Sequence, residues 1–85
     1  MPGLPAISGK RLLKILKEDG WIEDGKRTHG VAVRKTVGGV MRIAIIPTCS
    51  DSLPPGTLAA ILGDKQTGLG RAGLLILLNR RNQQL

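Results

Sequence analysis

A Gly-Gly pair at positions 38 and 39 stands between two runs of strand-like residues, and it constrains the fold more than any other feature of the chain. Before it, Val31 and Val33 alternate with Ala32 and Arg34. After it, Val40 to Ile46 sets Met41, Ile43 and Ile45 on one face and Arg42, Ala44 and Ile46 on the other. A period of two is that of a strand, and Gly-Gly suits the tight turns whose central residues need positive φ. Pro47 ends the second run. Trp21 and Ile22, running into a turn at Glu23-Asp24-Gly25, supply a short third strand or edge.

Helices flank this sheet. Ser8 is placed to cap a helix over Lys10 to Asp19, with Leu12, Ile15 and Leu16 on one stripe and Leu13 at its edge. Lys10, Arg11, Lys14 and Lys17 lie opposite, and Gly20 is a natural stop. Pro54-Pro55-Gly56 introduces a second helix carrying Leu58, Ile61 and Leu62, ended by Gly63. Residues 64–70 read as a linker. Arg71 to Arg80 contains Leu74-Leu75-Ile76-Leu77-Leu78, whose length, leucine content and lack of valine favour a third helix. The expected class is α+β: a small three-stranded antiparallel sheet with helices on one face, in the order α-β-β-β-α plus a C-terminal helix. One domain is expected over residues 1–85, with 1–7 a loose arm and 81–85 a frayed tail.

The apolar run near the C-terminus exceeds what one helix face buries in so small a domain. Leu74, Leu77 and Leu78 are therefore expected at a partner interface, the alternative being a central core helix.

Composition narrows the chemistry. The formal charge is +7 on 85 residues, which favours nucleic acid, an anionic membrane surface or an acidic protein as partner. Trp21 is the sole aromatic residue, so no ladder exists on which successive bases could stack. Cys49 is the sole cysteine and His29 the sole histidine, which excludes an intrachain disulfide and leaves no metal-ligand set. Gly68-Leu69-Gly70-Arg71-Ala72-Gly73 fits a dinucleotide-binding spacing but lacks the strand and long helix that such a motif needs. No run reaches the roughly 20 apolar residues of a membrane span, so a soluble cytoplasmic protein with no membrane partner and no cofactor is expected.

What remains is Gly25-Lys26-Arg27-Thr28-His29-Gly30. An imidazole exchanges protons near neutral pH, as general acid–base catalysis requires. Lys26 and Arg27 beside it could hold a phosphate and stabilise charge that develops on it. A base next to phosphate-binding cations suits RNA cleavage by the 2′-hydroxyl, which needs no metal. The bland alternative is an incidental surface histidine.

The order of landmarks carries a further signal. Ser8-Gly9-Lys10, a leucine-rich helix, Asp19-Gly20-Trp21, His29, a strand hairpin, Pro55-Gly56-Thr57-Leu58, Ile61-Leu62 and Gln66-Thr67-Gly68-Leu69 follow one another. Over residues 8–80 this resembles the HicA toxin family of bacterial type II toxin–antitoxin systems. The resemblance implies a fold like that of double-stranded-RNA-binding domains. It also implies an mRNA-cleaving endoribonuclease with no cofactor, neutralised by a HicB-like antitoxin.

On that reading His29 is the catalytic residue, and Lys26, Arg27 and Thr28 contact phosphate, with Thr28 in place of the serine of the family's Gly-Ser-His. Arg34 and Lys35, and after them Lys10, Arg11 and Lys14, are expected to position the RNA backbone. Gly30 stands where many members carry a second histidine, and the aromatic residue often found on the following strand is missing. Two alternatives stay open: a non-catalytic RNA-binding module and a protein-interaction module.

Overall fold

The computed structural model describes residues 6–82, with side chains through residue 79. The chain runs α1 (Gly9–Glu18), β1 (Ile22–Arg27), β2 (Gly30–Val37), β3 (Val40–Ile46), α2 (Pro55–Leu62) and α3 (Gly70–Asn82). The strands form one antiparallel sheet in the order β1-β2-β3. This is a small α+β fold with a three-stranded antiparallel sheet and three helices.

The β2–β3 hairpin turns at Gly38-Gly39, where φ is +59° and +82°, conformations that L side chains rarely adopt. The register then runs unbroken from Val37↔Val40 to Val31↔Ile46. Of the two faces that alternation allows, the one bearing Val31, Val33, Ala44 and Ile46 turns inward and packs with the helices. The opposite face leaves Ile22, Met41 and Ile43 exposed. Strand β1 is longer than expected: Glu23-Asp24-Gly25 does not turn but forms an irregularity between Glu23 and Lys26, and pairing resumes to Arg27↔Gly30.

Helix α1 starts where Ser8 Oγ accepts the Arg11 amide at 3.1 Å. Its expected stripe is the buried one: Leu12, Ile15 and Leu16 lie in the core and Leu13 packs at its edge. Trp21 follows the helix end and is buried against the same cluster. The first turn is pressed onto the loop after β3. Gly9 sits so close to Pro47 that a Cβ there would collide with the Pro47 carbonyl oxygen. The Lys10 amide donates to the Cys49 carbonyl at 3.1 Å, and the Leu53 amide donates to Ile7 at 2.8 Å.

Three expectations are corrected by packing. Residue 7 does not belong to a loose arm, because Ile7 is a core side chain whose carbonyl bonds to Leu53; residues 1–5 lie outside the described part. The segment 64–70 is no bare linker. Arg42 Nη1 donates to the Asp64 carbonyl at 2.6 Å, and Gln66 Oε1 accepts the Ile45 amide at 3.0 Å. The second bond occupies a backbone amide on the outer edge of β3, which would otherwise be unpaired, and the first ties the Arg42 side chain to the same segment. Thr67 is buried and its hydroxyl donates to the Ile61 carbonyl at 2.8 Å, closing the end of α2.

The third correction concerns α3. Leu74 and Leu77 are buried in the core and Leu78 is half-buried against it, so the helix spends its leucines on the domain itself rather than on a partner surface. Ile76 is the exposed member of that run, at 58%. The expected frayed tail overlaps the last residues of α3, which runs to Asn82; residues 83–85 lie outside the described part.

Truncating a fully enclosed leucine removes its burial and leaves a cavity. Leu74→Ala is therefore expected to lower the unfolding free energy by about 2–5 kcal/mol. Ile76→Ala, at an exposed position, should change it by about 0.5 kcal/mol or less. Urea unfolding of both variants distinguishes a core helix from a partner-facing one: comparable losses at the two positions would contradict this packing.

Candidate functional site

Strands β1 and β2 are joined by a two-residue turn, Thr28-His29, between the paired residues Arg27 and Gly30. No described non-glycine residue has positive φ, so the turn itself is of the ordinary hand. The backbone is redirected into β2 by Gly30, at φ +151°. Gly30 also lies against the end of β3, and a Cβ there would collide with the Ile46 carbonyl. On this backbone no side chain fits at position 30, so a second histidine cannot follow the first.

The turn opens onto a cleft of about 570 Å³ lined by Lys26, Arg27, Thr28, His29, Gly30, Val31, Thr48 and Cys49. The structure thus brings together the four residues singled out on the sequence: His29, Lys26, Arg27 and Thr28. All four are exposed. Lys26 forms no ion pair among the described residues, so its charge is available to a ligand. Arg27 is partly occupied, since its Nη1 reaches back to the carbonyls of Asp24 at 3.3 Å and Lys26 at 3.4 Å. The His29 imidazole has no hydrogen-bond partner among the described residues. A bound substrate would have to orient the ring.

The opposite wall was missed on the sequence. Thr48 and Cys49 belong to the loop after β3 and sit in no recognisable motif. The signal was present in the hairpin register: extending the β2–β3 pairing past Val31↔Ile46 sets His29 beside Thr48. Cys49 is half-buried, and its thiol donates to the Asp51 carbonyl at 3.4 Å.

The remaining expected cations divide into two groups. Lys35 is engaged within the domain: its ammonium donates to the Asp19 carbonyl at 2.7 Å and to Asp19 Oδ2 at 3.1 Å, tying β2 to the end of α1. Arg34 faces the sheet side away from the helices, paired with Asp24 at 3.7 Å. Lys10, Arg11 and Lys14 are exposed on α1 and form no ion pair among the described residues, whereas Lys17 is held by Glu23 at 3.1 Å. Among the described residues, Lys10, Arg11 and Lys14 of α1 thus form no ion pair, whereas Arg34 and Lys35 of β2 each do. Leu74 and Leu77 are in the core and Leu78 packs against it, so they form no surface with these groups.

Among the described residues no cluster of three or more His, Cys, Asp or Glu side chains is placed to hold a metal ion. No helix among them is long and apolar enough to cross a membrane. No family model, curated protein or solved structure matches the chain.

Gly30→Ala tests the turn that carries His29. An unfavourable backbone conformation costs about 1–3 kcal/mol, and the collision with Ile46 adds to it. The variant should show a lowered unfolding midpoint, with amide chemical-shift changes centred on residues 27–31 and 46–48. An unchanged midpoint would mean that the strands do not approach as closely as described.

Proposed function

We propose that the chain is a metal-independent endoribonuclease of the HicA type, the toxin half of a toxin–antitoxin pair, acting on mRNA in the cytoplasm. The observation that carries this reading is the cleft itself. One imidazole, a free ammonium, a guanidinium and a hydroxyl converge there within four consecutive residues, on a basic chain. The order of elements, a helix, three antiparallel strands and then helices, agrees with the double-stranded-RNA-binding arrangement that the resemblance implies.

The chemistry assigned to these groups is transesterification. An RNA phosphate sits between Lys26, Arg27 and the Thr28 hydroxyl. A His29 nitrogen accepts the proton of the 2′-hydroxyl, and the 2′-oxygen attacks the adjacent phosphorus. The cations stabilise the added negative charge as the phosphorane forms. The bond to the 5′-oxygen breaks, and that oxygen takes a proton from a cleft acid, the role given to Lys26. The products are a 2′,3′-cyclic phosphate and a 5′-hydroxyl. A fold of this kind reads phosphate and shape rather than base edges, so strict sequence selectivity is not part of the proposal. A HicB-like acidic antitoxin would neutralise the protein by covering the same basic surface.

One observation favours a second reading, a non-catalytic RNA-binding module: nothing among the described residues orients the imidazole. Efficient acid–base catalysis generally has such a group, though it can be supplied on binding.

His29→Ala separates the two. Positioned proton transfer contributes about 10²–10⁴-fold. With RNA in EDTA, the wild type should yield cyclic-phosphate ends and arrest growth when expressed in a bacterial host. His29→Ala should lose cleavage by at least that lower factor while keeping its fold and its RNA affinity. Equal cleavage by both proteins, or cleavage only with added metal, would remove His29 from the mechanism. Binding without cleavage by either would select the second reading.

A further inference from the structure

The cleft does not end at its own wall. Cys49, which lines it, accepts the Lys10 amide, so the first turn of α1 is fastened directly behind that wall. On the outer side of α1 lies a second concavity of about 390 Å³, lined by Lys10, Leu13, Lys14, Lys17 and Glu18. Lys10 is thus common to the rim of this groove and to the backbone seam of the cleft. Both concavities carry exposed cations that form no ion pair among the described residues: Lys26 in one, Lys10 and Lys14 in the other. The groove changes character after Lys14. Lys17 is neutralised by Glu23, and Glu18 adds a carboxylate at the far end.

We infer that the cleft and the α1 groove form one path for a polynucleotide, which runs from the His29 turn over Thr48-Cys49 onto Lys10 and Lys14. The inference deepens the proposed function by naming its substrate class: an RNA chain with flanking nucleotides on one side of the scissile phosphate, not a dinucleotide. Lys10 and Lys14 lie about 6 Å apart along the helix axis, so the α1 segment holds one or two flanking phosphates. Leu13 between them offers an apolar floor for a ribose or base, without the aromatic stacking that the chain lacks. Lys10 and Lys14 are positioning residues. They hold the strand while His29 acts elsewhere on it.

The test measures binding and cleavage separately, with fluorescein-labelled RNAs of two and twelve nucleotides. The proteins are wild type, Lys10→Gln/Lys14→Gln, and Arg71→Gln/Lys65→Gln as a control that removes two exposed cations from other surfaces. Anisotropy titrations across a salt series give affinity and slope. The expected result is that the wild type binds the twelve-mer at least tenfold more tightly than the dinucleotide. The α1 variant should lose most of that gain, and its salt slope for the twelve-mer should fall by about 1.4, the release from two single-strand phosphate contacts. The control should stay within twofold of wild type.

In cleavage assays the α1 variant should raise KM for the twelve-mer and leave kcat unchanged. If the α1 variant and the control behave alike, or length brings no gain, the path is wrong even though His29-dependent cleavage stands. If length-dependent binding through Lys10 and Lys14 holds but no RNA is cut, the path stands and the catalytic reading falls. A wild type that binds neither RNA overturns the path outright.

Discussion

The seam between the first turn of α1 and the loop after β3 holds this small domain together. Gly9 brings the helix backbone against the Pro47 carbonyl, the Lys10 amide bonds to Cys49, and Ile7 and Ser8 pair with Leu53 and Ser52. Each contact is modest, since a net hydrogen bond contributes about 0.5–1.5 kcal/mol. Their value lies in what they join. The loop is the direct continuation of β3, whose register with β2 sets it beside the Thr28-His29 turn. Fastening α1 to that loop holds the helix, the sheet and both walls of the cleft in one arrangement. The absence of a side chain at Gly9 is what permits it.

Charge in this protein is divided by partner rather than spread evenly. Lys35 secures β2 to the end of α1 through Asp19, Arg42 secures the 64–66 backbone to β3, and Lys17 and Arg34 pair with Glu23 and Asp24. A cation in contact with a carboxylate or a carbonyl must give up that contact before it can bind phosphate. Among the described residues, those that form no ion pair include Lys26 in the cleft, Lys10, Arg11 and Lys14 on α1, and Lys65 and Arg71 on other surfaces. The formal charge of +7 therefore overstates the field available to a polyanion at some surfaces and understates how well it is focused at one.

The apolar side of the molecule shows the same economy. With one aromatic residue, the core is assembled from Leu, Ile, Val, Ala44 and Trp21, drawn from all three helices, β2, β3 and the flanking loops. The leucines of α3 complete it, which explains why so apolar a run belongs in so short a chain. The Trp21 indole N–H is enclosed without a hydrogen-bond partner among the described residues, a local cost the core carries for its single large anchor.

By itself the sequence determined the elements whose causes are local. The Gly-Gly turn, the two-residue period of β2 and β3, the Ser8 cap, the α1 stripe and the proline start of α2 all act over a few residues, and all were legible. So was the gathering of His29 with Lys26, Arg27 and Thr28, which are neighbours in the chain. Tertiary structure alone decided which sheet face turned inward, because both faces of β3 are apolar enough to bury. It also decided that Leu74 and Leu77 join the core and that Thr48 and Cys49 wall the cleft. The pairing of Lys35 with Asp19, and of Arg42 with the Asp64 backbone, spans 16 and 22 residues. A lysine bound for an ion pair and one bound for solvent have the same local pattern. Only the approach of distant segments tells them apart, and that approach is set by how the whole core closes.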